Sequence, residues 1–195
     1  MVVLLFVLLV CAWGSSGPGL LPAAFNTSFA LTLPGPGGPG RAWWAYDAAA
    51  GGQRVWHPAC LLGTRNATRG CSLVFAGGLL RPVIYAVWQT GPLAPDAAAC
   101  CVLAKNVPII PRDHFSHYHY VINTTILHAS RGSLQVEMFR NANRQVYTLG
   151  SEMVRILDVT AAWDLPPQSQ WQLGPQSPLL FQVGSACHNA GACQM

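Results

Sequence analysis

The chain has 195 residues, 51% of them hydrophobic and only 9% charged, with 11 Lys and Arg against 7 Asp and Glu and a formal net charge of +4. Its basic residues stand singly between Arg41 and Arg155, so they lack the focused positive field that nucleic acid or an anionic membrane requires. Seven carboxylates in all leave little for multi-carboxylate chemistry, and the length suits one domain with one core.

Residues 1–17 open with an uncharged apolar run, Met1 to Trp13, ending in Gly14-Ser15-Ser16-Gly17. A run this short before small residues reads as a secretory signal peptide, because a bilayer needs about 20 helical residues to span. Residues 18–195 are then expected to form a single exported β domain that does not span a membrane. Cys11 leaves with the signal, and an even six remain: Cys60, Cys71, Cys100, Cys101, Cys187 and Cys193. Exported chains pair such cysteines. Cys100 and Cys101 lie too close along the backbone for an unstrained bridge to each other, so they are expected to reach different partners and fasten two parts of the chain to one point. Sequons at Asn26, Asn66 and Asn123 fit the same compartment, and each glycosylated asparagine must face water.

In chain order, Phe25 to Leu33 alternates apolar and polar residues with a period of two, which predicts a strand with Asn26 on its polar face. A Gly/Pro-rich linker at 34–40 follows. Arg41 to Cys60 then places two aromatic-rich runs around Ala48-Ala49-Ala50-Gly51-Gly52, the pattern of a β-hairpin. Cys71 to Phe75 and Leu79 to Trp88 read as two more strands, with Pro82 marking an edge or bulge. Past Pro108 and Pro111, Tyr118, Tyr120, Ile122, Thr124 and Ile126 alternate against His117, His119, Val121, Asn123 and Thr125. Leu134 to Phe139, Gln145 to Leu149 and Met153 to Val159 follow across turn-rich breaks, and a Pro-rich segment from Trp163 to Pro178 leads to a last run, Leu179 to Val183. No stretch offers more than about two turns of helical periodicity, so the connections are mostly hairpins. The predicted fold is mainly β: a strongly curved, half-barrel-like antiparallel sheet of eight to ten strands, with short helical or irregular connections, stapled by disulfides.

Chemistry is less legible. Asp113 to His119 is the densest cluster of titratable residues, and on a strand His117 and His119 would share a face about 7 Å apart, near enough for one metal. The sequon at Asn123 on the same face implies water and bulk instead, and the expectation is a solvated face with no metal or cofactor. There is no Gly-x-Ser-x-Gly elbow and no unpaired mature cysteine to serve as nucleophile. Trp43, Tyr46, Trp56, Tyr85, Tyr118 and Tyr120 lie on or beside predicted strands. They are either core packing or the lining of a hollow that takes an apolar ligand.

The order of Trp43-Trp44-Ala45-Tyr46-Asp47, Gln53-Arg54-Val55, the spaced cysteines, the aromatic strand around Tyr118 to Ile122, Gln145-Val146-Tyr147-Thr148-Leu149 and the cysteine-bearing C-terminus resembles the ependymin family of secreted glycoproteins. More distantly it resembles the bacterial periplasmic lipoprotein carriers that share that family's half-barrel. The resemblance covers roughly Trp43 to Cys193, and Tyr46-Asp47 followed by Arg54 is its most specific part. It implies a deep hydrophobic pocket, lipid-like ligands, N-linked glycans and intramolecular disulfides. The family is also linked to calcium and extracellular matrix, but with so few acidic residues no calcium site is carried over. The expectation is therefore a secreted, non-catalytic protein binding an apolar or lipid-like small molecule. A surface or matrix recognition glycoprotein with a filled core is the alternative, and a secreted hydrolase or metal enzyme around Asp113 to His119 the second.

Overall fold

The computed structural model describes residues 17–33, 40–58, 70–76, 81–88, 99–158 and 161–193. The signal segment, Asn66, Cys60 and most of the Gly/Pro linker lie outside them. Twelve strands form one open antiparallel sheet: β1 (Ala24–Thr32), β2 (Gly40–Asp47), β3 (Gly52–His57), β4 (Cys71–Ala76), β5 (Val83–Trp88), β6 (Ala99–Lys105), β7 (His119–His128), β8 (Gly132–Asn141), β9 (Arg144–Leu149), β10 (Glu152–Leu157), β11 (Ala162–Asp164) and β12 (Gln172–Leu173). Their order is β6-β5-β4-β3-β2-β1-β11-β10-β9-β8-β7, with β12 paired to β1. The fold is thus mainly β, antiparallel and disulfide-bonded, as the period-two runs predict. Among the described residues no helix is long and apolar enough to cross a membrane.

The Pro-rich segment does not behave as expected. It contributes β11 and β12, which complete the centre of the sheet beside β1, whereas Leu179 to Val183 is no strand: Pro178–Phe181 forms a 3-10 turn. Three- and two-residue strands hold too little sequence for a period to be visible, and an apolar run of five is equally compatible with a packed turn.

The inner face of the sheet carries Phe25, Phe29 and Leu31 of β1, Ala42, Trp44 and Tyr46 of β2, Val55 of β3, Phe139 of β8, Val146 of β9 and Met153 and Ile156 of β10 in one buried cluster. The connector from β6 to β7 runs across this face as a strap. It enters at one end of the strands, where Asn106 N–H donates to the Pro82 carbonyl, Gln53 Oε1 accepts from Ile110 N–H and Arg112 Nε donates to the Leu21 carbonyl. It leaves at the opposite end, where Tyr118 meets Arg144 at the start of β9. Ile109, Phe115 and Tyr118 pack into the core on the way.

This path requires the sheet to curl. Eleven strands laid flat would set β6 and β7 about 48 Å apart. The fourteen steps from Lys105 to His119 reach at most about 50 Å fully extended. The connector crosses diagonally and includes a 3-10 turn, His114–His117, which rises only about 2 Å per residue. Bulges between Ile84 and Tyr85, Tyr120 and Ile122, and Met153 and Arg155 supply local bending.

The outer face is covered in two places. The β7–β8 hairpin folds over β9 and β10, burying Ile126 and Val136 against Tyr147 and Val154. The C-terminal tail covers β3 to β6: Arg54 donates to the Leu180 carbonyl, Gly52 lies so close to Phe181 that a Cβ would collide with its ring, and Val183 packs beside Val74 and Val87. Neighbouring residues of a strand point to opposite sides. Cys100 accordingly bonds Cys187 on one side of β6 and Cys101 bonds Cys193 on the other, while Ala192 pairs in parallel with Val102 along the strand's free edge. Cys71 is also disulfide-bonded.

Candidate functional site on the inner face

Trp44, Trp163 and His57 meet on the inner face, where β2, β11 and β3 bring them together. The Trp44 and Trp163 ring centroids are 6.1 Å apart at 86°, and His57 lies 5.9 Å from Trp163 at 73°. Trp163 stacks on Phe29 of the intervening β1 at 5.1 Å. Trp44 is fully buried and His57 is 9% exposed. Three polar atoms here, Trp44 Nε1, Trp163 Nε1 and His57 Nδ1, are buried with no hydrogen-bond partner. Among the described residues only Trp56 Nε1 and Thr148 Oγ1 share that condition. An indole N–H can only donate, and each buried group left unpaired costs about 1–3 kcal/mol.

Burial pushes the His57 imidazole down to about 4, a shift that nearby Asp158 opposes. The ring is therefore neutral at neutral pH. His57 stands opposite Cys71, and Cys71 opposite Trp88, making a row across β3, β4 and β5. Leu73 and Trp88 on the same side are only half-buried. The site is thus an aromatic, uncharged floor with unsatisfied donors. It can hold an apolar body together with an acceptor group.

The six aromatic residues expected to line a hollow do not share a face. Tyr46 points inward, and its hydroxyl donates to the Ile110 carbonyl at 2.9 Å, holding the strap. Burial raises its pKa above the ordinary phenol value. Trp43, Trp56 and Tyr85 alternate with inward residues and so occupy the outer face, half-buried, Tyr85 beneath the tail. Tyr118 precedes β7 and is buried with the strap, and Tyr120, opposite inward-facing Phe139 with ring centroids 5.8 Å apart, lies at the rim of the inner face and is 45% exposed. Sequence reasoning missed His57 and Trp163. His57 shares the period-two phase of buried Val55 and could have been found from that. Trp163 could not, because its strand is three residues long.

The Asp113 to His119 cluster is also rearranged. His117 lies in the 3-10 turn and not on a strand, so it shares no strand face with His119. It is exposed and pairs with Asp113 at 3.5 Å. The Ser116 hydroxyl donates to the Asp113 backbone carbonyl at 2.7 Å, so no histidine activates it. The His114 pKa is lowered, by burial first and then by Arg144 and His117. No group of three potential metal ligands converges among the described residues.

Of the sequon asparagines, Asn123 is exposed, while Asn26 is half-buried and its Nδ2 donates to Gln176 Oε1 at 2.8 Å. The described recesses, of about 350 and 640 Å³, lie side by side on the outer face around Ala129, Ser130 and Asp164. There Arg155 holds Asp164 with two bonds, Nε to Oδ1 and Nη2 to Oδ2, and Ala129 N–H donates to Oδ2. His128 Nε2 sits 3.1 Å from both the Val154 and Leu165 carbonyls, which makes it the protonated ring nitrogen, and Nδ1 accepts from Ser130 N–H. Every group in that network is engaged in fixing the β7–β8 turn onto β10 and β11. In comparisons with known proteins, no family model and no curated protein matches this chain.

Proposed function

We propose that this chain is a secreted, disulfide-stapled, N-glycosylated protein that binds an apolar, lipid-like ligand on the inner face of its curved sheet without catalysing a reaction. The observation that carries the reading is the trio of unpartnered polar atoms on Trp44, Trp163 and His57 in an otherwise apolar setting. A ligand oxygen accepting from the indole N–H groups would relieve a cost that the folded chain otherwise bears. The apolar run at the N-terminus and the paired cysteines support export. The resemblance to ependymins and to periplasmic lipoprotein carriers supports the same class of ligand. One observation favours the surface or matrix recognition glycoprotein: the strap fills part of the inner face with Ile109, Phe115 and Tyr118.

Native mass spectrometry of the secreted, deglycosylated protein tests the proposal. A stoichiometric apolar passenger, lost when Trp44 and Trp163 are both replaced by Phe, is the expected result. A bare polypeptide mass that takes up neither added fatty acid nor phospholipid sinks it and leaves the recognition reading.

A further inference from the structure

The two edges of the sheet are treated differently. The β6 edge is covered by the disulfide-anchored tail through Val102 and Ala192. The β7 edge pairs with β8 on one side and, among the described residues, with nothing on the other. Every second residue of an edge strand offers its N–H and C=O outward, a template for another strand. Proteins blunt such edges with charge, proline or bulges. From Tyr120 to Leu127 there is no charged residue and no proline, and the one bulge, at Val121, lies near one end. Apolar side chains are concentrated here: Tyr120, Val121, Ile122 and Leu127 are 45%, 46%, 52% and 77% exposed, four of the nine large exposed hydrophobics among the described residues. In the middle of this strand stands the sequon Asn123-Thr124-Thr125, with Asn123 exposed.

We infer that an N-linked glycan on Asn123 shields the β7 edge from pairing with a second copy of the chain. The inference rests on the secreted reading, because only an exported chain meets the glycosylation machinery. In that step Asn123 Nδ2 bonds to the anomeric carbon of an oligosaccharide carried on a lipid pyrophosphate. The carbon–oxygen bond to the pyrophosphate breaks, the lipid pyrophosphate leaves, and the amide gives up one proton. Two copies joining β7 to β7 antiparallel about a two-fold axis near Thr124 would bring both glycans to the same seam, so one modification blocks the contact from both sides.

The test uses the full chain secreted from glycosylating cells, with peptide mass mapping of each sequon and light scattering of the folded protein over a wide concentration range. Asn123 is expected to be occupied and the protein monomeric. Asn123→Gln, Thr125→Ala and native enzymatic removal of the glycan from the wild type should each shift the mass to twice the monomer or more. Ile122→Lys added to Asn123→Gln should return the monomer by placing charge on the edge. A chain exported with glycan at Asn66 but none at Asn123, or one that stays monomeric after the Asn123 glycan is removed, overturns the inference alone. A chain that is not exported and bears no glycan at any sequon overturns the secreted reading and this inference with it.

Discussion

Asp164 is 5% exposed and carries a charge that Arg155 neutralises across β10 and β11 with two bonds. Removing one partner of such a pair leaves an uncompensated buried charge. Arg155→Ala is expected to destabilise the chain by about 3 kcal/mol in urea unfolding, and adding Asp164→Asn to recover much of that loss. A single-mutant cost within experimental error would mean the pair is not buried in solution. His57 adds a pH dependence of definite sign. Its folded pKa, about 4, lies below the unfolded value near 6.5, so between these pH values the unfolded chain binds more protons. The stabilisation is full above pH 6.5, falls as pH drops toward 4 and is constant below, a total of about 3 kcal/mol. His57→Gln should lose this part of the slope when unfolding is compared at pH 7 and pH 4. An NMR titration of the wild-type ring with a midpoint near 6.5 would refute the account. The sequence marked the cysteines as bridge-forming, and Cys71, Cys100, Cys101, Cys187 and Cys193 are disulfide-bonded, but neither Asp164 nor Arg155 stood out, because their pairing exists only once β10 and β11 lie side by side.

At the scale of elements, the adjacent cysteines are the clearest case of a sequence feature with a mechanical consequence. Because β6 alternates its side chains, Cys100 and Cys101 grip the tail from the two sides of one strand, across sequence separations of 87 and 92 residues. Closing loops this long removes much unfolded-state entropy. The double variant Cys101→Ser, Cys193→Ser is expected to lower stability by about 2–4 kcal/mol and to release the last pairing along β6. Thermal unfolding measures the first effect, and faster amide exchange at Val102 and Cys193 the second. Unchanged exchange at both would show that the tail holds the edge without the bridge. The long strands were legible because nine or ten residues at period two leave a signature, as Phe25 to Leu33 does. For β7 that signature misleads. The bulge at Val121 shifts its phase, so Tyr120 lies opposite inner Phe139 while Ile122 lies opposite outer Met138, on the side of Ile126 and His128. The proposed passenger site is less legible still, since Trp163 joins Trp44 and His57 from a strand more than a hundred positions further along the chain.

At the scale of the whole molecule, β1 is the middle of the eleven-strand path and packs its inner face into the main cluster, whereas β7 is an edge with exposed side chains. Local opening should follow that gradient. Hydrogen exchange is expected to be slowest in β1 and β2, intermediate in β4 and β9, and fastest along β7. Equal protection of β7 and β1 would contradict an open sheet. By itself the sequence determined the β class, the antiparallel pairing and the oxidised cysteines, because strand periodicity, turn chemistry and cysteine spacing are local properties that survive in one dimension. Only the tertiary structure decided which aromatic residues face inward, where the strap crosses and which edge stays open. Those depend on the order of strands in the sheet and on a one-residue bulge, and a shift of one residue turns every later side chain of a strand to its other face.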